Sequence, residues 1–271
     1  IHRIVGCTQE IDKKFGMFHA MYAASAYIVS QHAAVRYCNT EQGSMLEKAK
    51  KLAHVATLPL VKLLVKLNVA PNVVTTIGLM VNVIAASVFI VGAECGSRED
   101  FSYIGLASAL ILLAGVFDIL DGQVARIGES TSKYGALYDS VIDRYSELIM
   151  FLGICYYFVS YSYLLSSLFA FVAMIGSIMV SYTRARAQGV GIECEVGLMQ
   201  RPARIIVIGI SGLICSITAT IIGSGSKLYI GIGSVYIAET ITIYALPIGV
   251  VALLSNLTAI RRLIHCRKQL L

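Results

Sequence analysis

Six stretches of this chain stay apolar for about the 20 residues that a helix needs to cross a bilayer, and the charged residues fall largely between them. They run over 73–93, 101–120, 137–160, 163–183, 203–223 and 237–260. The pattern predicts six transmembrane helices. A Gly-Ser link at 223–226 and Pro247 inside the last run leave the last two boundaries the least defined. Ahead of the first run the pattern is different: Lys48, Lys50, Lys51, Lys62 and Lys66 alternate with Leu46, Leu52, Val55, Leu58, Leu63 and Leu67. That alternation predicts a basic amphipathic helix lying on the inner leaflet, interrupted near Pro59. Pro71 and Asn72 then open the first span, where a helix tolerates proline in its first turn. The expected fold is an all-α integral membrane protein, six transmembrane helices preceded by a cytoplasmic juxtamembrane amphipathic helix.

Residues 1–44 mix short apolar patches with His, Gln and Lys and contain no clean span, and Gly43-Ser44-Met45 reads as a junction. Two origins stand open for this leader: a foreign, linker-derived segment, or a native cytoplasmic extension with one surface helix. The membrane domain is expected over 45–271. No internal repeat is evident.

Composition and charge sharpen the picture. Of 271 residues, 57% are hydrophobic and only 14% charged, far from the balance of a soluble domain. Basic residues precede the first run, flank the second-to-third connection (Arg126, Lys133, Arg144), fill the fourth-to-fifth (Arg184, Arg186, Arg201, Arg204) and follow the last (Arg261, Arg262, Arg267, Lys268), whereas the opposite connections hold only Arg98 and Lys227. The positive-inside rule then puts both termini on the cytoplasmic side of the cell's inner membrane. A net charge of +6 spread over separate loops suits anionic membrane lipids and speaks against nucleic acid as a partner. The seven cysteines form no CxxC pair, so packing as small hydrophobes is expected of them. Tyr157, Tyr161, Tyr163, Tyr229, Tyr236 and Tyr244 fall near the outer ends of the spans, which predicts an interfacial aromatic belt.

The candidate chemistry is concentrated in one stretch: Asp118-x2-Asp121-Gly122-x2-Ala125-Arg126-x8-Gly135-x3-Asp139-x3-Asp143. A carboxylate at the centre of a membrane helix costs roughly 2.5–3.5 kcal/mol, so four of them beside apolar runs call for a compensating partner. Hard carboxylate oxygens suit a divalent cation such as Mg²⁺, Mn²⁺ or Ca²⁺. Asp118 and Asp121 stand three residues apart and Asp139 and Asp143 four apart, so each pair shares one helix face. Two such pairs facing each other can hold two metal ions. Gly122, Ala125 and Gly135 remove bulk where a phosphate could approach backbone, and Arg126 offers a guanidinium fork to a phosphate oxygen. The positive-inside reading sets this cluster, and hence the active site, facing the cytoplasm.

The run resembles the motif of the CDP-alcohol phosphotransferases, and Pro71-Asn72-x2-Thr75-x2-Gly78-Leu79-x2-Asn82 is similar to the motif of their first helix. The resemblance spans roughly 45–271. It implies a metal-dependent enzyme in which an alcohol hydroxyl attacks the β-phosphorus of CDP-diacylglycerol or a related CDP-lipid and CMP leaves. It further implies that Asp118, Asp121, Asp139 and Asp143 bind two Mg²⁺ or Mn²⁺ ions. Asp139 would bridge them, and Asp143 would also act as general base. Asn72, Thr75, Asp118, Gly122, Ala125 and Arg126 would contact the CDP group, and the chain would work as a homodimer.

The acceptor is read from a second block, Ser181-Tyr182-Thr183-Arg184-Ala185-Arg186 followed by Val196-Gly197-Leu198-Met199-Gln200-Arg201-Pro202-Ala203-Arg204. Its four arginines form a candidate anion pocket, which a phosphorylated polyol needs and free glycerol does not. The block resembles that of phosphatidylinositol-phosphate synthases and their archaeal ether-lipid counterparts, which implies inositol 1-phosphate as acceptor, held by Arg184, Arg204 and Arg262. Gln188, Gln200 and Pro202-Ala203 depart from that pattern, so glycerol 3-phosphate or another alcohol stays open. A cation transporter would set carboxylates near mid-span and show repeated halves, and an aspartyl protease would need two aspartates sharing one proton. Neither matches a quartet at the helix ends beside Gly122 and Arg126.

Overall fold

The computed structural model describes residues 57–194, 196–197, 199–223, 227–229 and 236–271; the leader and residues 45–56 lie outside that set. A helix over residues 57–66 (α1) includes Pro59. Six long helices follow: α2 (Pro71–Cys95), α3 (Ser102–Ile127), α4 (Lys133–Ser160), α5 (Leu164–Gly189), α6 (Arg201–Ile222) and α7 (Thr242–Leu270). Five of them, all but α4, are long and apolar enough to cross a membrane, so the chain is an integral membrane protein. The exception is physical: α4 carries Lys133, Asp139, Asp143 and Arg144 in its first half and Glu147 just beyond.

The connections from α2 to α3, α3 to α4 and α4 to α5 are only a few residues long, which makes each pair antiparallel neighbours. The helices close into a ring in the order α2, α3, α6, α7, α5, α4 and back to α2. Small residues set the closest crossings. A Cβ on Gly153 of α4 would fall 2.8 Å from the Ala86 Cα of α2, and one on Gly176 of α5 would fall 2.9 Å from the Asn256 backbone nitrogen of α7. Helices in lipid gain little from apolar surface alone and pack through such close approaches.

The bundle centre is filled by aromatic and branched side chains, among them Phe89, Ile104, Phe151, Phe158, Tyr157, Tyr244 and Ile248. Here the structure corrects the aromatic-belt expectation. Tyr157 and Tyr244 are buried, and they pack with Phe89 and Phe158 at ring separations of 5.8–6.4 Å. Depth along a span is legible from sequence; which way a side chain faces around the helix is not. Tyr163 does sit at the rim, under the Arg98 guanidinium at 4.8 Å. The side chains of Tyr229 and Tyr236 lie outside the described set.

The last span begins later than expected. Strands Lys227–Tyr229 (β1) and Tyr236–Glu239 (β2) pair antiparallel ahead of α7, taking up residues that read as the start of that helix. Pro247 falls within the second turn of α7 without ending it. Helix α1 packs Val61, Leu64 and Val65 against Val74, Leu120 and Val124, and Gln123 of α3 donates to the Thr57 hydroxyl at 2.7 Å. Leu60, Leu63 and Leu67 on its other side are exposed.

Candidate active site

The alternation of helix direction brings the starts of α2, α4 and α6 and the ends of α3, α5 and α7 to one end of the bundle. The aspartates sit there, one to three turns inside their helices. Asp118, Asp121 and Asp139 converge, each offering a carboxylate oxygen within 4.8 Å of the others. Asp121 is almost fully buried; its Oδ1 accepts from the Gly122 backbone N–H at 2.6 Å, while its Oδ2 and Asp139 Oδ1 are buried without a hydrogen-bond partner. Orphaned carboxylate oxygens in a buried site are costly. Hard, unsatisfied donors converging from two helices are the donor set that a Mg²⁺ or Mn²⁺ ion takes.

Asp143 is held differently. Its Oδ1 lies 2.7 Å from Arg201 Nη1, and the same nitrogen contacts Asp118. Arg201 opens α6, with Pro202 fixing the turn behind it. The sequence places Arg201 among the four arginines of a candidate anion pocket; nothing in its spacing marks the aspartates as its partners.

Beside the carboxylates a cavity of about 230 Å³ is lined by Asn72, Thr75, Asp121, Gly122, Ala125, Arg126, Gly135 and Asp139 among others. Of the residues expected to contact a CDP group, all but Asp118 meet there. Asp118 lines a smaller adjoining space with Thr75, Asn82, Asp121, Asp143 and Arg201. The start of α4 is fixed by the Ser132 hydroxyl, which accepts from the Gly135 N–H at 2.9 Å as N-cap serines do. A Cβ on Gly135 would lie 3.0 Å from that hydroxyl and 3.5 Å from Asn72 Oδ1, so this glycine keeps the cavity open. If the cavity takes the CDP-lipid that the resemblance implies, Gly135→Leu is expected to raise the KM for it by about tenfold or more, as overpacking of roughly 1–3 kcal/mol implies. Steady-state kinetics at saturating acceptor would check it, and an unchanged KM would put the nucleotide elsewhere. A larger groove of about 610 Å³ near Arg98 and Tyr163 is lined mainly by apolar residues of α5 and α7, with Glu239 the one carboxylate among the described residues that line it.

The three acceptor arginines are dispersed in their contacts. Arg184 is exposed near the end of α5. Arg204 is fully buried: its Nε and Nη2 donate to the two Glu147 carboxylate oxygens at 2.7 and 3.0 Å, and its Nη1 donates to the Met199 carbonyl at 2.8 Å. Arg262 is nearly as buried and donates to the carbonyls of Val196 and Val180 at 2.8 and 2.6 Å. Through these contacts Arg204 and Arg262 hold the loop between α5 and α6. Glu147 was missed in the sequence. The signal for it was present, since it continues the Asp139–Asp143 series by another four residues along one face of α4.

Residues 68–258 match the CDP-alcohol phosphatidyltransferase family. The chain belongs to that family. Among the proteins it is similar to are the phosphatidylinositol phosphate synthase of Corynebacterium glutamicum, 31% identical over 173 residues that cover 60% of this chain and 74% of that protein, and the archaetidylinositol phosphate synthase of Pyrococcus horikoshii, 34% identical over 154 residues, 56% of this chain and 73% of that protein. The fold is similar to that of the Mycobacterium tuberculosis phosphatidylinositol phosphate synthase. Its structure with CDP-DAG bound superposes with a TM-score of 0.60 at 20% identity, covering 78% of this chain and 92% of the other. Its complex with manganese and citrate gives the same TM-score at 21% identity, covering 78% and 88%. As a CDP-alcohol phosphatidyltransferase, the chain is an enzyme, and its carboxylate cluster lies beside a cavity of about 230 Å³.

Proposed function

We propose that this enzyme transfers a phosphatidyl group from CDP-diacylglycerol to a hydroxyl of inositol 1-phosphate, giving phosphatidylinositol phosphate and CMP. The observation that carries the reading is the cavity in which Asn72, Thr75, Gly122, Ala125 and Arg126 face Asp121 and Asp139, a place for a pyrophosphate between an arginine and a carboxylate set. Relatives named as inositol-phosphate lipid synthases support the acceptor, and a similarly folded enzyme solved with CDP-DAG and with manganese supports donor and metal.

In this mechanism Asn72 and Thr75 orient the cytidine end and Arg126 pairs with a phosphate oxygen. Gly122, Ala125 and Gly135 let the pyrophosphate lie close to backbone. Asp118, Asp121, Asp139 and Asp143 would hold two Mg²⁺ or Mn²⁺ ions, which when bound supply neutralising charge for the pyrophosphate and the leaving CMP. Asp143 accepts the proton of the attacking hydroxyl. The oxygen–phosphorus bond to the acceptor forms as the bond to CMP breaks. Arg184 meets the acceptor phosphate directly, and Arg204 and Arg262 shape that pocket through the loop they hold.

The same reading makes α4 the sixth transmembrane helix, its charged first half shielded by α2, α5 and α6. Helix α1 is the juxtamembrane helix, with Leu60, Leu63 and Leu67 toward lipid and Val61 and Val65 on the bundle. The enzyme sits in the inner membrane as a homodimer, with its active site and both termini on the cytoplasmic side.

The deciding experiment is CMP release by the purified protein with Mg²⁺ and CDP-diacylglycerol, with inositol 1-phosphate, glycerol 3-phosphate, free inositol and serine offered in parallel. Release with inositol 1-phosphate alone is expected. Release with glycerol 3-phosphate instead would keep the reaction and replace the acceptor. No release with any of them would overturn the choice of donor.

A further inference from the structure

Arg201 already holds two of the carboxylates that the cation reading needs, Asp118 and Asp143. Asp118 belongs to the trio of converging carboxylates, yet its Oδ1 is also the partner of Arg201 Nη1, which lies 2.7 Å from Asp143 Oδ1 as well. A guanidinium held on Asp118 and Asp143 neutralises part of the charge that would draw a metal ion, and a positive charge beside the trio repels a second one. The Arg201 seat is itself incomplete, because its Nε is buried without a hydrogen-bond partner. Nearby, Asn82 Oδ1 is buried and unpartnered too, lining the same small space as Arg201, Asp118 and Asp143. The guanidinium thus makes one strong shared contact while leaving another of its own donors unpaired, an arrangement suited to a contact that is given up.

We infer that Arg201 is a built-in competitor for the cation site: its guanidinium takes Asp118 and Asp143 and withdraws when those carboxylates serve a divalent cation. Arg201 therefore sets the metal affinity of the site. Because the linkage is reciprocal, metal loading frees a guanidinium at the start of α6, beside the cluster, where an anionic substrate can use it. Pro202 and the first turn of α6 fix the backbone, so the movement is confined to the side chain. This inference rests on the reading of the aspartates as a divalent-cation site and adds to it an internal rival.

The test is Mn²⁺ binding by the full chain in detergent, with free Mn²⁺ read by electron paramagnetic resonance, so that turnover plays no part. Removing the rival charge in Arg201→Met is expected to tighten Mn²⁺ binding by about tenfold or more. Arg201→Lys keeps the charge but loses the fork, so it is expected to tighten binding by a smaller factor, roughly threefold. Arg267→Met, which removes a charge at the exposed end of α7, controls for net charge and is expected to change nothing. In parallel, the rise in melting temperature on adding Mn²⁺ should be larger for Arg201→Met than for the unmodified protein, by mass action. Affinity in Arg201→Met equal to or weaker than that of the unmodified chain would overturn the inference, as would an equal gain in Arg267→Met. If Arg201→Met fails to fold, Arg201→Lys carries the test, and affinity unchanged in that variant is the overturning result. Absence of Mn²⁺ binding in every version would instead overturn the cation site itself.

Discussion

Asp143→Asn is expected to lower CMP release by about a thousandfold or more while CDP-lipid affinity changes by less than about threefold, because a positioned general base contributes roughly 10²–10⁴-fold. The expectation follows from where Asp143 stands. Asp121 and Asp139 line the cavity proposed for the CDP group, but Asp143 lines the adjoining space with Asp118, Asn82 and Arg201, one turn further along α4. Its substitution should spare the donor and disable the attack on it. Asparagine keeps the shape and an oxygen for Arg201, so the variant should fold; it loses the negative charge and the ability to take a proton. Single-turnover CMP release beside equilibrium binding of the CDP-lipid separates the two effects. Turnover at the normal rate would remove Asp143 from the chemistry. A loss of CDP-lipid binding as large as the loss of rate would make it a ligand-binding group instead.

What was legible in the sequence and what was not divides along a physical line. Five helices long and apolar enough to cross a membrane followed from apolar runs of fixed length, and the aspartate faces followed from spacings of three and four. Asn72, Thr75, Gly122, Ala125 and Arg126 meet at one cavity, as the motif they form implied. The start of α7 was misplaced because Ile237 and Ala238 are apolar in a strand as in a helix, and a short apolar run does not distinguish the two. Tyr157 and Tyr244 were misplaced because the bundle turns them inward, a matter of rotation about the helix axis. Arginine carries the same ambiguity in stronger form. Arg184, Arg201, Arg204 and Arg262 have one charge and one donor fork, yet the fold gives them four environments: an exposed helix end, a carboxylate pair, a buried glutamate and two backbone carbonyls. Partner identity is tertiary information, and composition and spacing do not contain it.

The pair between Arg204 and Glu147 should dominate the stability of this end of the bundle. Arg204 is wholly buried and Glu147 nearly so, and removing one partner leaves an uncompensated charge, which costs about 3–5 kcal/mol. Glu147→Ala is therefore expected to lower the apparent melting temperature in detergent by about 10 °C or more. Arg204→Ala should do the same and, by releasing Met199 and the loop before α6, should raise the KM for the polyol phosphate far more than that for the CDP-lipid. Replacing both partners with apolar residues of similar size, Glu147→Leu with Arg204→Met, separates structure from binding, because a well-packed apolar pair in place of a buried ion pair is often neutral. That double variant should recover most of the lost melting temperature. If it recovers the acceptor KM as well, Arg204 acts through the loop. If stability returns and the KM stays high, Arg204 turns to the acceptor phosphate during the cycle, as the sequence resemblance implies. A melting temperature untouched by Glu147→Ala would show that the pair does not hold this end of the bundle together, and the assignment of Arg204 as the anchor of the loop would fall with it.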